Sequence, residues 1–303
     1  MHILGFVRKQ ITTTELDCAR ACRIDACFGN ETMKVELDDR WQPISSRQNA
    51  RVKELRALFH EAAPTQDRMV AIEGMHLLEE AIRSGLRLET VFFAESARER
   101  AHKLLPQLSS HTSVLLLPDE VFASAVPSET PQGVAGIVKV KSFELKDVFS
   151  PEPALVVLCA GLQDPGNVGT IARSAEAFGA TGMLLGERTV SQWNWKALRA
   201  SAGSLFRVPT VKVEVAAALQ EATARGLRVL ATSSHKGTVL AQSDLRVPVA
   251  LIVGNEGSGV PRDILSQADE VLAIPQSSKV ESLNAAIASS IILYEVARQR
   301  SHS

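Results

Sequence analysis

The chain has 303 residues, of which 45% are hydrophobic and 22% are charged, and its formal net charge is −1. This composition is ordinary for a globular protein, and the length exceeds that of an average single domain, so we expect two domains. No apolar run approaches the ~18 residues of a membrane-spanning helix, and the first ten residues are charged too early for a signal peptide. We therefore predict a cytoplasmic protein without membrane association, and the near-neutral charge does not by itself indicate a nucleic-acid binder.

The spacing of the four cysteines does not match a known metal-binding motif. Cys18, Cys22 and Cys27 cluster near the N-terminus, with three and four residues between neighbours. A structural zinc site needs a C-x₂-C pair and a fourth ligand, and neither is evident. The fourth cysteine, Cys159, falls inside a predicted strand as a small core residue. The sequence therefore predicts no bound metal.

The N-terminal half divides into an extension, a domain and a linker. Residues 1–42 show weak periodicity, which fits a disordered extension or a translation start placed too far upstream. Over residues 43–140, short strands such as "RMVAIEG" alternate with helices such as "MHLLEEAIRSG", which predicts a compact α/β domain. A further helix is predicted over "ARERAHKLLPQL". Residues 141–153 carry two prolines and are interpreted as a linker.

A second alternation of strands and helices occupies residues 154–300. "ALVVLCAGL" is apolar on both alternating faces, as expected for a strand covered on both sides in a parallel sheet. A helix is predicted from about Gly169 to Phe178, and another over "NWKALRASAGSLF". The long last helix has alanine and serine on one side. This pattern predicts a doubly wound α/β domain.

Three turns at the ends of predicted strands carry unusual residues. They are "QDPGNVGTIAR" (163–173), "VGNEGSGVP" (253–261) and "AIPQSSKVESLNAA" (273–286). Ligands of such sheets bind at the carboxyl edge of the strands. The glycine spacing of the first two turns does not fit the G-x-G-x-x-G dinucleotide fingerprint, and neither turn carries the Gly-Lys-Ser/Thr of a P-loop. A dinucleotide-dependent oxidoreductase is therefore disfavoured.

"PGNVGTIARSAEAFGA", "LIVGNEGSGV" and "IPQSSKVESLNAAIASSIILYE" resemble, in order and spacing, the three motifs of the SpoU/TrmH-type RNA 2′-O-ribose methyltransferases of the SPOUT superfamily. The resemblance covers the whole of residues 154–300. "AIEGMHLLEEAIRSG" and "QGVAGI" are more weakly similar to the L30e-like RNA-binding domain that precedes this catalytic domain in many members. Residues 1–42 lie outside the resemblance.

This resemblance implies an N-terminal L30e-like α/β domain that binds RNA and a C-terminal SPOUT domain, in which a parallel sheet has helices on both faces and ends in a deep trefoil knot. It further implies S-adenosylmethionine as methyl donor, transfer to a ribose 2′-hydroxyl and a homodimer, for which the small-residue face of 284–292 allows close packing. Ribosomal RNA is the preferred substrate by analogy with other L30e-like domains. A transfer-RNA 2′-O-methyltransferase and a non-catalytic RNA-binding member remain alternatives.

The resemblance also assigns roles to individual residues of the first two turns. Arg173 is implied as the catalytic arginine, either as a general base acting with an RNA phosphate or as a grip for the phosphate that stabilises the developing alkoxide. Its high pKa makes the second role the plainer one. Asn167 is implied to orient Arg173 or the ribose, and Glu256 to orient catalytic groups. Without the motifs, these residues would be a solvated arginine, a turn asparagine and a helix-capping carboxylate.

In the third turn, Ser282 and Asn284 are implied to reach the reaction centre, although either also suits the N-cap of the last helix. The cofactor is implied to bind through Gly254, where a glycine lets the backbone approach closely, and through the backbone around Ile274 and Leu283. As side chains, the last two would otherwise be ordinary core.

Two groups of cations fit either basic faces or solvated helix surfaces. The spacing of the cations alone does not separate these two interpretations. The groups are Arg47, Arg51, Lys53 and Arg56, and Lys196, Arg199 and Arg207.

Overall fold

The computed structural model describes residues 40–233, 237–277 and 282–301. Its N-terminal domain is built on a five-stranded sheet in the order β1-β4-β3-β5-β2. Strands β1, β4 and β3 pair in parallel, whereas β5 runs antiparallel to both β3 and β2. The strands are β1 (Trp41–Pro43), β2 (Met69–Glu73), β3 (Arg87–Ala94), β4 (Ser113–Leu117) and β5 (Val134–Lys139), and the helices are α1 (Ala50–Glu61), α2 (Met75–Arg83), α3 (Arg98–Ala101) and α4 (Asp119–Ala123).

The N-terminal sheet begins inside the segment predicted as an extension. Strand β1 pairs with β4, and the Arg40 guanidinium donates to the backbone carbonyl of Ser109 at 2.8 Å. A three-residue edge strand ending in proline is too short to show periodicity in the sequence. Residues 1–39, the rest of that segment, lie outside the described residues.

The predicted helix over 97–108 is much shorter in the structure. Only Arg98–Ala101 is α-helical, and a 3₁₀ turn follows at Leu105–Gln107. The reason is Pro106, because proline has no backbone N–H to donate and clashes with the preceding turn of a helix.

The C-terminal domain holds a seven-stranded sheet in the order β10-β12-β9-β11-β6-β7-β8, with every neighbouring pair parallel. Helices α6, α7 and α10 cover one face, and α8 covers the other with the short α5 and α9. The strands are β6 (Leu155–Ala160), β7 (Gly182–Leu185), β8 (Thr210–Lys212), β9 (Arg228–Ser233), β10 (Thr238–Val239), β11 (Val249–Gly254) and β12 (Glu270–Ala273), and the helices are α5 (Leu145–Val148), α6 (Pro165–Ala177), α7 (Trp195–Ser201), α8 (Val215–Ala224), α9 (Arg262–Leu265) and α10 (Ala285–Arg300).

Two predicted helices of this domain have different bounds in the structure. Helix α6 begins at Pro165 rather than near Gly169, because the Asp164 side chain caps it by accepting from the backbone N–H of Gly166 at 2.8 Å. The residues interpreted as a turn are thus the first turn of the helix. Helix α7 ends at Ser201, because the backbone at Ala202 and Gly203 turns to positive φ, 47° and 91°.

The interdomain segment is packed rather than free. Within the predicted linker, α5 places Val148 and Phe149 in the core against the C-terminal sheet, with 0% and 3% of their surface exposed. The side chain of Trp195, at the start of α7, packs on the N-terminal core. The two domains therefore share buried contacts.

Small residues of α10 face the interior of the chain and not a free surface. Ala286 and Ser289 are buried, and Ser290 Oγ lies 2.6 Å from Ser174 Oγ on α6. Within one chain, α6 therefore covers part of this small-residue face, and close packing of a second copy there stays a prediction. The exposed large apolar residues of α10 are instead Ile287, Ile291 and Tyr294.

None of the helices in the described ranges combines the length and apolar character required to span a bilayer. Residues 278–281, in the segment where the resemblance implies the knot, are outside the description. The knot stays a prediction.

Candidate active site

Two of the three predicted turns leave the same edge of the sheet. Strands β6 and β11 are parallel neighbours, with Ala160 opposite Gly254 at their carboxyl ends. Strand order also reverses here, because β7 lies on one side of β6 while β11 and β9 lie on the other. Such a switch point opens the crevice in which doubly wound sheets bind ligands.

The Glu256 carboxylate joins these two turns. Oε1 accepts from Asn167 Nδ2 at 2.9 Å and from the backbone N–H of Asp164 at 3.1 Å. Oε2 accepts from the backbone N–H of Gln163 at 3.2 Å and from Asn255 Nδ2 at 3.3 Å. A carboxylate offers about four lone-pair positions, so these four donors nearly saturate it.

Asn284 attaches the third turn to the same network. Its Nδ2 donates to Asn167 Oδ1 at 3.0 Å, while its Oδ1 accepts from the backbone N–H groups of Ala286 and Ile287. The Glu256 carboxylate can only accept, so the NH₂ group of Asn167 must face it; the helix N–H groups can only donate, so Oδ1 of Asn284 must face them. The hydrogen-bond partners thus fix the orientation of both amides. Asn284 is therefore the N-cap of α10, and the alternative cap, Ser282, is not.

Hydrogen bonding keeps Glu256 ionised. Its partial burial alone raises the pKa, but the hydrogen bonds from Asn167 Nδ2 and from backbone N–H groups, including those of Asp164 and Gln163, outweigh this effect. The net result is a pKa below the ordinary value for glutamate. A saturated carboxylate of lowered pKa is suited to orienting its neighbours and poorly suited to removing a proton.

Arg173 stands apart from this network. Its side chain is exposed on α6, and no hydrogen bond or ion pair involves it within the described residues. Asn167 and Arg173 are six residues apart, so they lie roughly 120° apart around the helix and about 9 Å along its axis. The arginine is thus free to meet a ligand that comes from solvent.

A cavity of about 340 Å³ adjoins the network. It lies at the carboxyl ends of β9, β11 and β12 and against α10. All three predicted cofactor residues line it, together with the predicted catalytic residues Glu256 and Ser282. The cofactor residues are Gly254, Ile274 and Leu283.

Some backbone groups around this cavity have unused hydrogen-bonding capacity. Among the described residues, no hydrogen bond involves the backbone of Ile274 or Leu283. Small-molecule sites of this size are commonly apolar with a few convergent polar groups. The cavity therefore fits a ligand that is recognised by main-chain groups and by shape.

Gly254 is required for a different reason than the sequence suggested. A Cβ there would lie 2.2 Å from the carbonyl carbon of Gly259 and 2.3 Å from the backbone nitrogen of Val260. Asn255 and Gly259 form an isolated bridge that folds the turn back on itself. Glycine therefore permits closure of the turn, and a bulkier residue would disturb the turn before it reached a cofactor.

Several cations of the two predicted basic groups have partners within the protein. Arg47 pairs with Glu120, and Arg51 with Glu54. The first group is thus largely a surface on which Arg47 and Arg51 are paired with glutamates of the same domain. In the second group, Lys196 and Arg199 remain exposed on α7.

Arg207, of the second group, belongs to the domain interface. Its Nη1 donates to Glu80 Oε2 and to Ser84 Oγ, both at 2.9 Å, and its Nη2 donates to Glu176 Oε2 at 2.9 Å. The Arg207 side chain is therefore not part of a free basic face.

Sequence reasoning missed the residues that serve through their position. The backbone N–H groups of Gln163 and Asp164 hold Glu256, and Asn255 Oδ1 accepts from the backbone N–H groups of Gly257 and Ser258. Main-chain donors leave no signature in side-chain identity. An asparagine directly before a glycine-rich turn was the one available signal, because asparagine side chains commonly bond the backbone two residues on.

Comparison with known protein families matches both domains. Residues 154–294 match the SpoU rRNA Methylase family, and residues 49–136 match the MRM3-like substrate binding domain. The chain is 31% identical, over 253 residues, to the 23S rRNA (guanosine(2553)-2′-O)-methyltransferase RlmP of Bacillus subtilis, a match that covers 84% of this chain and 98% of that protein.

Solved structures agree in both fold and extent. The AdoMet-bound rRNA methyltransferase from Sinorhizobium meliloti superposes with a TM-score of 0.73 at 30% identity, covering 86% of this chain and 98% of that one. The SpoU methyltransferase AviRb from Streptomyces viridochromogenes, in complex with AdoMet, gives 0.72 at 27% identity, covering 84% and 99%. The chain belongs to the SpoU rRNA methylase family.

Proposed function

We propose that this protein transfers a methyl group from S-adenosylmethionine to a ribose 2′-hydroxyl of ribosomal RNA. The single observation that carries this proposal is the hydrogen-bonded chain Asn284–Asn167–Glu256, which ties three separate turns together beside the 340 Å³ cavity. The similarity to an enzyme named as a 23S rRNA 2′-O-methyltransferase supports the choice of RNA and of reaction.

S-adenosylmethionine supplies an activated methyl group, so the reaction needs no metal. We infer that the backbone around Gly254, Ile274 and Leu283 holds the cofactor, since these positions line the cavity and two of them have unused main-chain groups. Two structural neighbours that share this fold carry AdoMet. In this proposal, the trefoil knot implied by the family accounts for the approach of Ile274 and Leu283 to the cavity.

The residues of this chain position the acceptor. The 2′-hydroxyl must lie in line with the methyl carbon and its leaving sulfur, and positioning alone supplies a large part of such a rate enhancement. We assign Asn167, Glu256 and Asn284 to holding the three turns in register, and Ser282 to the wall next to the reacting group. Arg173 grips an RNA phosphate and stabilises the developing alkoxide.

Ribose-methylation mapping tests the substrate. Total RNA from cells with and without this gene is compared, and we expect one ribosomal nucleotide to lose its 2′-O-methyl group in the deletion. Loss at a transfer-RNA position would instead support the alternative substrate. An unchanged map, with purified protein inactive on ribosomal RNA from the deletion strain, would favour a non-catalytic RNA-binding member.

We also propose that the protein acts as a homodimer in the cytoplasm, where ribosomal RNA is found. Ile287, Ile291 and Tyr294 lie at i, i+4 and i+7 on α10 and are 53%, 36% and 54% exposed, so they form an apolar stripe that suits a second copy. We expect Ile291→Glu to convert a dimer to a monomer in analytical ultracentrifugation. A monomeric wild-type protein would contradict this part of the proposal.

A further inference from the structure

A second crevice lies beside the 255–261 turn and is distinct from the cofactor cavity. It consists of two adjoining clefts of about 190 and 160 Å³, and both are lined by Ala160, Gly161, Arg188 and Pro261. Together they fall at the lower end of the ~300–1,000 Å³ range of small-molecule sites. Nothing in the proposed chemistry so far uses this space.

The crevice is physically continuous with the catalytic network. Gln163, which lines the smaller cleft, donates its backbone N–H to Glu256 Oε2 at 3.2 Å, and its side-chain amide donates to the carbonyl oxygen of Arg188. Asn255 and Ser258 line both the smaller cleft and the cofactor cavity. One residue therefore separates Arg188 from the group that orients the reaction centre.

The lining of the larger cleft combines apolar walls with mixed polar groups. Val215, Leu219 and Ile264 form part of the walls. The exposed charged residues Glu187, Arg188 and Asp263 also line this cleft. Within the described residues, the hydrogen bonds of Arg188 and Asp263 beyond regular helix bonding use only their backbone carbonyls, and no hydrogen bond or ion pair engages the Arg188 guanidinium or the Asp263 carboxylate. A cleft with apolar walls, the Arg188 guanidinium and two carboxylates fits the face and edge of a nucleobase better than it fits a phosphate alone.

We propose that this crevice binds the base of an unstacked RNA nucleotide next to the one that is methylated, while Arg188 contacts the adjoining phosphate. The proposal rests on the proposed function and extends it to a subsite that helps select the RNA. Sequence-specific proteins read RNA largely from such splayed bases, which pack on side chains and expose their hydrogen-bonding edges.

Two neighbouring alanines of α8 provide a matched test. Ala216 lines the larger cleft and is exposed, while Ala217 is also exposed but does not line it. Ala216→Phe should fill the larger cleft without adding a side chain to the core, and Ala217→Phe should add the same ring outside that cleft. The probe is ribosomal RNA isolated from cells that lack the gene, with cofactor affinity measured by calorimetry.

We expect Ala216→Phe to raise the KM for this RNA at least tenfold with unchanged S-adenosylmethionine affinity, and Ala217→Phe to stay within twofold of wild type. Arg188→Ala should raise the RNA KM and lower the salt slope of RNA binding by about one, with Arg188→Lys retaining the slope. Equal kinetics for the two phenylalanine variants, or an unchanged RNA KM in Arg188→Ala, would overturn the subsite. If wild-type protein itself methylates none of this RNA, it is the proposed function that has failed.

Discussion

At the scale of single residues, Glu256 has little capacity left for proton transfer. Four donors occupy its two oxygens, and its pKa is lowered by the hydrogen bonds that outweigh its partial burial. In the proposed reaction, the proton of the 2′-hydroxyl therefore leaves by another route, such as water or an RNA phosphate that Arg173 is proposed to hold. The network instead explains how three turns that are distant in sequence keep a fixed geometry.

Asn167→Asp tests this role of the network. The substitution removes the hydrogen bond at 2.9 Å and places a second carboxylate against Glu256. Two carboxylates this close cannot both remain ionised, so one of their pKa values rises. We expect single-turnover methylation to fall by roughly 10²-fold at pH 8 and to recover partly towards pH 6, where a shared proton replaces the amide hydrogen.

The comparison variant is Asn167→Ala, which loses the same hydrogen bond but cannot share a proton. Its rate should show no recovery at lower pH. Identical pH profiles for the aspartate and alanine variants would count against an ionised Glu256 as the centre of the network.

Arg173→Lys separates the two roles of the arginine. Lysine keeps the charge but loses the planar fork that binds a phosphate with two hydrogen bonds. If guanidinium geometry carries catalysis, turnover should fall by roughly 10²-fold, close to Arg173→Ala, with cofactor affinity near wild type. A lysine variant whose single-turnover rate climbs steeply with pH would favour a general base. Near-normal activity of Arg173→Ala would mean that Arg173 is a solvated helix residue with no part in catalysis.

At the scale of elements, the sheet depends on helices packing closely at its carboxyl edge. The contact between α6 and α7 is formed at Gly169, where a Cβ would lie 2.3 Å from the carbonyl oxygen of Ala197 and 2.7 Å from the Cβ of Ala200. Because α6 carries Asn167 and Arg173, this contact also fixes the height of both side chains above the sheet.

We therefore expect Gly169→Ala to destabilise the protein by about 1–3 kcal/mol, as overpacking typically does, despite the higher helix propensity of alanine. The matched control is Gly166→Ala in the first turn of the same helix. There the nearest contact of a new Cβ is the flexible Asp164 side chain at 3.1 Å, so the change should be close to neutral. Chemical denaturation measures both, and equal midpoints would contradict the close-packing argument.

The alternation of strands and helices was readable from the sequence because buried strands and amphipathic helices have different periods. The order of the strands was not, since it depends on which edges pair after the chain has crossed over the sheet. Short elements such as β1 and β10 were missed because two or three residues carry no period. The start of α6 was misplaced because "DPGN" fits a turn as well as it fits a cap followed by proline.

The candidate site was predictable only through its motifs. Composition and spacing alone disfavoured dinucleotide binding, while the resemblance pointed to Asn167, Glu256 and Asn284, which the structure brings into one hydrogen-bonded chain. The close approach at Gly254 was expected to serve a cofactor, yet the atoms it meets belong to the turn itself. Such contacts depend on how a loop closes, which single-residue identities do not encode.

At the scale of the whole molecule, the N-terminal domain and the methylase domain are joined by an ion-pair cluster. Arg207 donates to Glu176 on α6 and also to Glu80 and Ser84 at the end of α2. Burial raises the pKa of Glu80, but the hydrogen bonds from Arg83 and Arg207 outweigh it, and the net pKa is lowered. The pKa of Glu176 is lowered chiefly by its hydrogen bond from Arg207, against a smaller opposing effect of burial. Since Glu176 lies three residues after Arg173, this cluster links the orientation of the N-terminal domain to the catalytic helix.

Glu80→Gln should weaken this link with little change to the catalytic domain. Glu80 is 12% exposed, and losing its charge should cost about 1.5–3 kcal/mol of folding stability at pH 7, the usual worth of a hydrogen bond to a charged group. Because the folded-state pKa is depressed, Glu80 stabilises the fold above its unfolded pKa near 4.3 and loses that effect as the pH falls through the folded pKa. The gap in melting temperature between wild type and variant should thus shrink below pH 4.

Arg83→Met is the control, since Arg83 pairs with the same carboxylate from a side chain that is 65% exposed and should matter by less than about 1 kcal/mol. We expect Glu80→Gln, and not Arg83→Met, to raise the KM for ribosomal RNA severalfold at constant S-adenosylmethionine affinity. Equal RNA kinetics in the two variants would mean that Arg207 stabilises the interface without orienting the RNA.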